Sequence, residues 1–133
     1  MKLNWQLMKN NITREDLDVL IDYLKQDEPF LTQSTQVREF EREWAEWVGV
    51  KYCVYVNSGA SANLLTITAL KYLYGEGEIV LPPLTWVSDI ASVIQNDLKP
   101  VFVDINPKTL CMDDARIISA LSDRTRAVFI THV

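Results

Sequence analysis

The chain has 133 residues, which is enough for a single domain with one hydrophobic core. Its composition, 48% hydrophobic and 23% charged, is that of an ordinary globular protein. The net charge of −5 argues against nucleic acid or an acidic membrane as the main partner, and because no apolar stretch approaches the length of a membrane span, we expect a cytoplasmic protein.

Two amphipathic helices are predicted in residues 1–50. Thr13–Asp16 is typical of a helix start, close to a capping box, and apolar residues follow at helical spacing to about Lys25. A second helix is predicted from about Gln36 to Val48, with Gly49 as its C-terminal stop. Three large aromatic residues on one face of this helix indicate a core or an oligomer interface: Phe40, Trp44 and Trp47.

The stretch Val54–Leu65 predicts a strand, a tight turn and a helix, the strand beginning at Lys51 and ending at Val56. The small turn residues let the backbone come close to a ligand. At a helix N-terminus, free amides and the helix dipole favour an anion, most often a phosphate. A second interpretation stays open, in which Ser58 or Ser61 merely caps the helix.

The rest of the chain alternates helices and strands, which predicts an α/β fold with a mainly parallel sheet and helices on both faces. A helix from Ser61 to about Tyr74 is apolar on nearly every side and is expected to be buried. Glycine-rich dinucleotide and P-loop motifs are absent, which argues against those two classes. The later predicted elements are strand Glu78–Leu81, a helix from Val87, strand Pro100–Ile105, a helix capped by Asp113, and strand Ala127–Val133. Because Pro100–Ile105 is continuously apolar, we expect it to be covered on both faces.

Three features fall at the carboxyl ends of predicted strands, namely Ser58–Ser61, Trp86 and Asp104. In an open α/β sheet, ligands collect at these ends. An anion cradle beside one indole suits a flat ring that bears a phosphate. Because the chain stops on a strand of buried type, we interpret it as a fold cut short after Val133.

Four stretches, in this order, resemble motifs of the DegT/DnrJ/EryC1/StrS sugar-nucleotide aminotransferases, which are fold type I enzymes dependent on pyridoxal 5'-phosphate (PLP). The departures from the family pattern are Ala60 in place of a frequent threonine, Gln33-Ser34 in place of a glycine-containing turn, and Cys111 in place of a common asparagine. The matching stretches are Leu31–Glu41, Asn57–Asn63 (the "SGTSAN" element), Pro82–Ser88 (the "PxxTWV" segment) and Pro100–Asp113 (the "PVFVDID" segment).

The resemblance implies a partial large domain of the PLP-transferase fold. Residues 1–50 would supply N-terminal helices and a substrate loop, and residues 51–133 the N-terminal part of the PLP-binding domain. Leu31 and Thr32 would line the substrate loop, which in relatives reaches across a dimer interface, so a homo-oligomer is expected. The resemblance also implies the cofactor contacts: Gly59, Ala60 and Ser61 at the phosphate, and Trp86 stacked on the pyridine ring.

In the family, the lysine that forms a Schiff base with PLP and the aspartate at the pyridine nitrogen come later in the chain than Val133. None of the lysines here matches the family lysine. The resemblance therefore implies the N-terminal segment of an aminotransferase that acts on keto-sugar nucleotides with an amino-acid donor, in cell-surface polysaccharide, lipopolysaccharide or amino-sugar biosynthesis, and that is inactive alone. Two alternatives stay open: a sugar dehydratase of the same family, and a non-catalytic binding or assembly module.

Overall fold

The computed structural model describes residues 9–132, so Val133, the predicted end of the last strand, lies outside the described residues. Across residues 9–132, none of the helices is both long and apolar enough to cross a membrane. The chain divides between Tyr55 and Val56 into two compact units. The first unit holds α1 (Arg14–Leu24) and α2 (Thr35–Val48), and the second holds α3 (Gly59–Tyr74), β1 (Glu78–Leu81), α4 (Val87–Gln95), β2 (Lys99–Phe102), α5 (Asp114–Ala120) and β3 (Thr125–Val128).

The two helices of the first unit begin and end as predicted. A capping box starts α1: Thr13 Oγ1 accepts from the Asp16 amide at 3.2 Å, and Asp16 Oδ2 accepts from the Thr13 amide at 2.7 Å. Gly49 ends α2 in the left-handed region, with φ 80°. The aromatic face of α2 lies on the surface of this unit, since Trp44 and Trp47 contact each other at 5.0 Å between ring centroids while Trp47 is 77% exposed.

The predicted strand Lys51–Val56 is wrong. This segment pairs with no strand among the described residues, and Tyr52 and Val54 are 75% and 72% exposed. Aromatic and β-branched residues favour a strand only where a pleated, half-buried surface receives them. No described part of the first unit offers such a surface. Two contacts of Tyr55 hold the end of the segment: its amide donates to Glu41 Oε1 at 2.8 Å, and its ring meets that of Phe40 edge-on at 5.4 Å between centroids.

The second unit confirms the predicted α/β architecture. Its three strands are parallel in the order β2-β1-β3, and all four residues of the central strand β1 are buried. Alternate residues of β1 point to opposite faces, each covered by helices. One core packs β1 against α3 and α4, and its buried members are Ile67, Ile79, Leu81, Val93 and Leu98. The other core lies on the face covered by α5, and its buried members are Val80, Val103 and Met112.

Two predictions of complete burial are wrong. In α3 only Ile67 is buried, and Leu65 and Leu73 are 52% and 68% exposed, because one side of the helix packs on the sheet and α4 while no described element covers the other. The strand predicted at Pro100–Ile105 is the shorter β2, and it is not covered on both faces. It lies at the edge of the sheet, and its last residue, Phe102, is 52% exposed. The last strand is also shorter than predicted and ends at Val128.

A buried carboxylate joins the amino ends of the three strands. The side chain of Glu78 on β1 is 7% exposed and accepts from Ser122 Oγ at 2.9 Å, from Lys99 Nζ at 3.2 Å and from an Arg124 guanidinium nitrogen at 2.6 Å. The hydrogen bonds from Ser122 and Lys99, in that order, together with the positive charges of Arg124 and Lys99, lower the pKa of Glu78. The contacts tie the edge strands to β1 at one end of the sheet.

Glu78→Gln is expected to lower the thermal midpoint of unfolding at neutral pH by several degrees, because it removes the negative charge that Lys99 and Arg124 share. Since the pKa of Glu78 is lowered in the folded protein, its contribution is complete above the unfolded-state pKa and is lost as the pH falls through the folded-state pKa. The difference between the two proteins should therefore shrink on acidification, as measured by calorimetry at several pH values. Glu43→Gln, at a carboxylate 69% exposed, is the matched control and should leave the midpoint unchanged.

Candidate functional site

The turn before α3 forms a helix N-terminus of the kind that binds anions. Ser58 is the N-cap, with extended backbone at φ −163° and ψ 159°, and its Oγ accepts from the Ser61 amide at 3.2 Å. Ser58 therefore caps the helix, as one of the two interpretations expected. The Ser61 hydroxyl donates to Asn57 Oδ1 at 2.6 Å, so the polar side chains of the turn hold one another in place.

Capping leaves two donors at this turn. Within the described residues the amides of Gly59 and Ala60 donate to no other group, as expected in the first turn of a helix. A Cβ added at Gly59 would meet no atom within 4 Å, so the backbone is open there. Two free amides at the positive end of a 16-residue helix suit a phosphate, and the residues present fit such a group.

Trp86 lies at the start of α4, in the N-cap position, and its side chain is 77% exposed. A groove of about 210 Å³ runs between α3 and α4, lined by Ala60 and Ser61 on one side and by Ser88 on the other. Ser88 follows Trp86 by two residues. The structure thus brings the first turn of α4, which follows Trp86, next to the N-terminus of α3, while Trp86 itself does not line the groove.

Sequence reasoning missed a buried polar network beneath this groove. Asp89 is 6% exposed, and its Oδ1 accepts from Asn63 Nδ2 at 2.6 Å and from Ser88 Oγ at 3.4 Å. Its Oδ2 accepts from Thr85 Oγ1, whose oxygen lies 2.6 Å from Thr131 Oγ1. The sequence does show an aspartate within an otherwise apolar helix. An acidic residue in the first turn is equally well explained by its favourable interaction with the helix dipole, so the sequence did not single out Asp89.

Asp104, the third residue predicted at a strand end, lies elsewhere. Its carboxylate pairs with Arg116 of α5 at 3.2 Å. Because α5 covers the opposite face of the sheet from α3 and α4, Asp104 is not brought to the cradle. Both side chains of the pair are more than half exposed, so it is a surface ion pair rather than part of a site.

Leu31 and Thr32 belong to the first unit, and both are exposed. They line a groove of about 450 Å³ whose walls come from α1, the following loop and the start of α2. Tyr23 braces this loop by donating from its hydroxyl to the Phe30 carbonyl at 2.9 Å. The loop is therefore an ordered surface within its own unit.

Comparison with known families gives a match over most of the chain. The profile of the DegT/DnrJ/EryC1/StrS aminotransferase family matches residues 10–133. L-glutamine:2-deoxy-scyllo-inosose aminotransferase of Streptomyces lividus is 34% identical over 79% of this chain and 24% of its own length. GDP-4-keto-6-deoxy-D-mannose 3-dehydratase of Yersinia pseudotuberculosis is 31% identical over 98% of this chain and 34% of its own length.

The fold has the same relatives. The structure of E. coli GDP-4-keto-6-deoxy-D-mannose-3-dehydratase with bound hydrated PLP superposes with a TM-score of 0.82 at 30% identity, and the match covers 96% of this chain and 33% of that one. The predicted partial fold of type I is therefore confirmed. The chain spans about a quarter to a third of the length of the relatives it matches.

Proposed function

This chain belongs to the DegT/DnrJ/EryC1/StrS aminotransferase family, and on that basis we propose that it is the N-terminal portion of a PLP-dependent aminotransferase that acts on keto-sugar nucleotides. The observation that carries the proposal is the pair of free amides, Gly59 and Ala60, at the start of α3, beside a groove that Ala60 and Ser61 share with Ser88 in the first turn of α4. In this arrangement residues 1–50 supply helices and a substrate loop, and residues 51–133 supply the phosphate and ring contacts.

Each site residue has a defined task in this proposal. The amides of Gly59 and Ala60 and the hydroxyl of Ser61 hold the phosphate of PLP, and the hydroxyl reaches it by exchanging its contact with Asn57. The exposed indole of Trp86 covers one face of the pyridine ring, where it excludes water. When bound, PLP supplies an electron sink for charge that develops on the substrate carbon. Leu31 and Thr32 form part of the surface that receives the sugar nucleotide.

The chain is proposed to be inactive alone, because none of its lysines matches the family lysine and two lysines of the second unit are held elsewhere in that unit. Lys71 is held by Glu76 and Asp97, and Lys99 by Glu78, all near the amino ends of the strands. The ligand groove lies near the carboxyl ends. Covalent catalysis and control of the ring nitrogen would then fall to later residues of a longer protein, a cytoplasmic homo-oligomer that serves polysaccharide, lipopolysaccharide or amino-sugar biosynthesis.

A dehydratase of the same family is the second candidate. The observation that favours it is coverage, since the dehydratase relative aligns with 98% of this chain and the aminotransferase relative with 79%. Assay of the purified chain with a keto-sugar nucleotide and either glutamate or glutamine is expected to show no amino transfer. Turnover would contradict the proposed inactivity and identify the reaction at once.

The experiment that tests the cofactor site is a comparison of three ligands by equilibrium dialysis. PLP is expected to bind the 133-residue chain, inorganic phosphate to compete with it, and pyridoxal, which lacks the phosphate, to compete poorly. Equal competition by pyridoxal would place the affinity in the ring and contradict the cradle. If PLP does not bind at all, the non-catalytic binding or assembly module becomes the better interpretation.

Trp86→Ala is expected to weaken PLP binding about fivefold, the equivalent of roughly 1 kcal/mol for a lost ring contact. The thermal midpoint should change little, because the side chain is 77% exposed. Trp86→Phe keeps an aromatic face and should restore part of the affinity. Trp47→Ala, at an indole that is also 77% exposed, is the matched control, and an equal loss of affinity there would count against the stacking role.

A further inference from the structure

The carboxylate of Asp89 joins the two parts of the proposed cofactor site. One oxygen accepts from Asn63, which lies two residues after Ser61 in α3. The other accepts from Thr85, the residue immediately before Trp86. A single buried group on the first turn of α4 therefore contacts both the phosphate-binding helix and the turn that carries the indole.

The network extends one step further, to the segment after β3. Thr131 Oγ1 lies 2.6 Å from Thr85 Oγ1 and 3.5 Å from Asp89 Oδ2, to which it can also donate. The donors thus come from three separate segments of the second unit. Such a chain of hydrogen bonds constrains the direction of each member.

Burial of a carboxylate costs free energy unless donors surround it, and apolar residues of similar volume often stabilise a protein as well or better. Asp89 therefore contributes by fixing the positions of its hydrogen-bond partners rather than by adding to the stability of the fold. Trp86 needs such a constraint, because its side chain is 77% exposed and makes no capping hydrogen bond, so the backbone of the turn decides where the indole lies.

We propose that Asp89 is a positioning residue, which sets the indole of Trp86 against the phosphate-binding turn through Thr85 on one oxygen and Asn63 on the other. This inference rests on the proposed PLP site for its consequence in binding. The structural consequence of the inference, an ordered backbone in the turn at Trp86, is expected in the protein without cofactor as well. The two parts can therefore be measured separately.

The test replaces Thr85 with valine, which keeps the shape and removes the hydroxyl. In the cofactor-free chain, ¹⁵N relaxation is expected to show the order parameter of the Trp86 backbone amide falling from the value of rigid backbone, about 0.85, to below about 0.6. PLP affinity should fall about fivefold, as if the ring contact were lost. Thr68→Val removes a hydroxyl that donates to the Leu64 carbonyl elsewhere in α3, and it should change neither quantity.

Asp89→Asn is the conservative variant. Its amide oxygen still accepts from Asn63, and the Thr85 hydroxyl can rotate to accept from the new NH₂ group, so both the order parameter and the affinity should stay near those of the unsubstituted chain. If Thr85→Val does not fold, Thr131→Val, which removes the outer hydroxyl, replaces it, and increased mobility at Trp86 is again the expected result.

Unchanged mobility at Trp86 in the folded valine variant would overturn the inference. A fall in the order parameter without a fall in PLP affinity would overturn it as well, since positioning would then have no consequence for the site. If the unsubstituted chain binds no PLP, the proposed function fails instead, and the relaxation measurement alone decides whether Asp89 orders the turn.

Discussion

Gly59→Pro is expected to weaken PLP binding about tenfold to one-hundredfold while leaving the stability of the chain nearly unchanged. Proline removes the Gly59 amide hydrogen, and a hydrogen bond to a charged group contributes about 1.5–3 kcal/mol. The fold should tolerate the change, because Gly59 is the first residue of α3, Ser58 before it is extended, and an added Cβ meets no atom within 4 Å. Equilibrium dialysis with PLP and calorimetry measure the two effects.

Asp114→Pro is the matched control for this substitution. Asp114 is also the first residue of a helix, α5, and its N-cap Asp113 is extended, with ψ 125°. The control should therefore leave PLP affinity unchanged, because α5 lies on the other face of the sheet. Retention of full PLP affinity by Gly59→Pro would show that the amide at the start of α3 does not contact the phosphate.

Leu81→Ala is expected to lower the free energy of unfolding by about 2–5 kcal/mol. Leu81 is 0% exposed at the carboxyl end of the central strand, in the core that α3 and α4 share with the sheet. Truncation removes buried apolar surface and leaves a cavity that the surrounding strands cannot close. Urea unfolding at several protein concentrations measures the loss and separates it from self-association.

Leu65→Ala provides the comparison. Leu65 lies on the uncovered side of α3 and is 52% exposed, so the same substitution should cost less than about 1 kcal/mol. Equal losses at the two positions would mean that the uncovered side of α3 is packed in solution, as self-association through that face would produce. A dependence of the Leu65→Ala result on protein concentration would then be expected.

Local patterns predicted most of the second unit correctly. The strand β1, the start of α4 and the cap at Asp113 follow from short-range rules on apolar runs and helix caps. The segment Lys51–Val56 shows where such rules fail. Its residues favour a strand, but pairing depends on a partner elsewhere in the chain, and within the described residues no partner lies beside it.

The candidate site, like the fold, has residues that short patterns predicted and one that they did not. The small-residue turn at Gly59 and the aromatic residue at Trp86 were recognisable in sequence because an anion cradle and a stacking ring each need particular residue types. Asp89 was not recognisable, since its partners Asn63 and Thr131 are 26 and 42 residues away along the chain. Only the packing of α3 and α4 on the sheet brings these donors to one carboxylate.

The sequence by itself determined the family and the alternation of helices and strands, and it singled out the two stretches of the proposed cofactor contact, because each depends on residues close together in the chain. The tertiary structure decided which apolar surfaces are covered, which predicted strand finds a partner, and how Asn63 of α3 and Thr85 before α4 meet at the carboxylate of Asp89. These depend on contacts between distant segments, for which no short pattern exists.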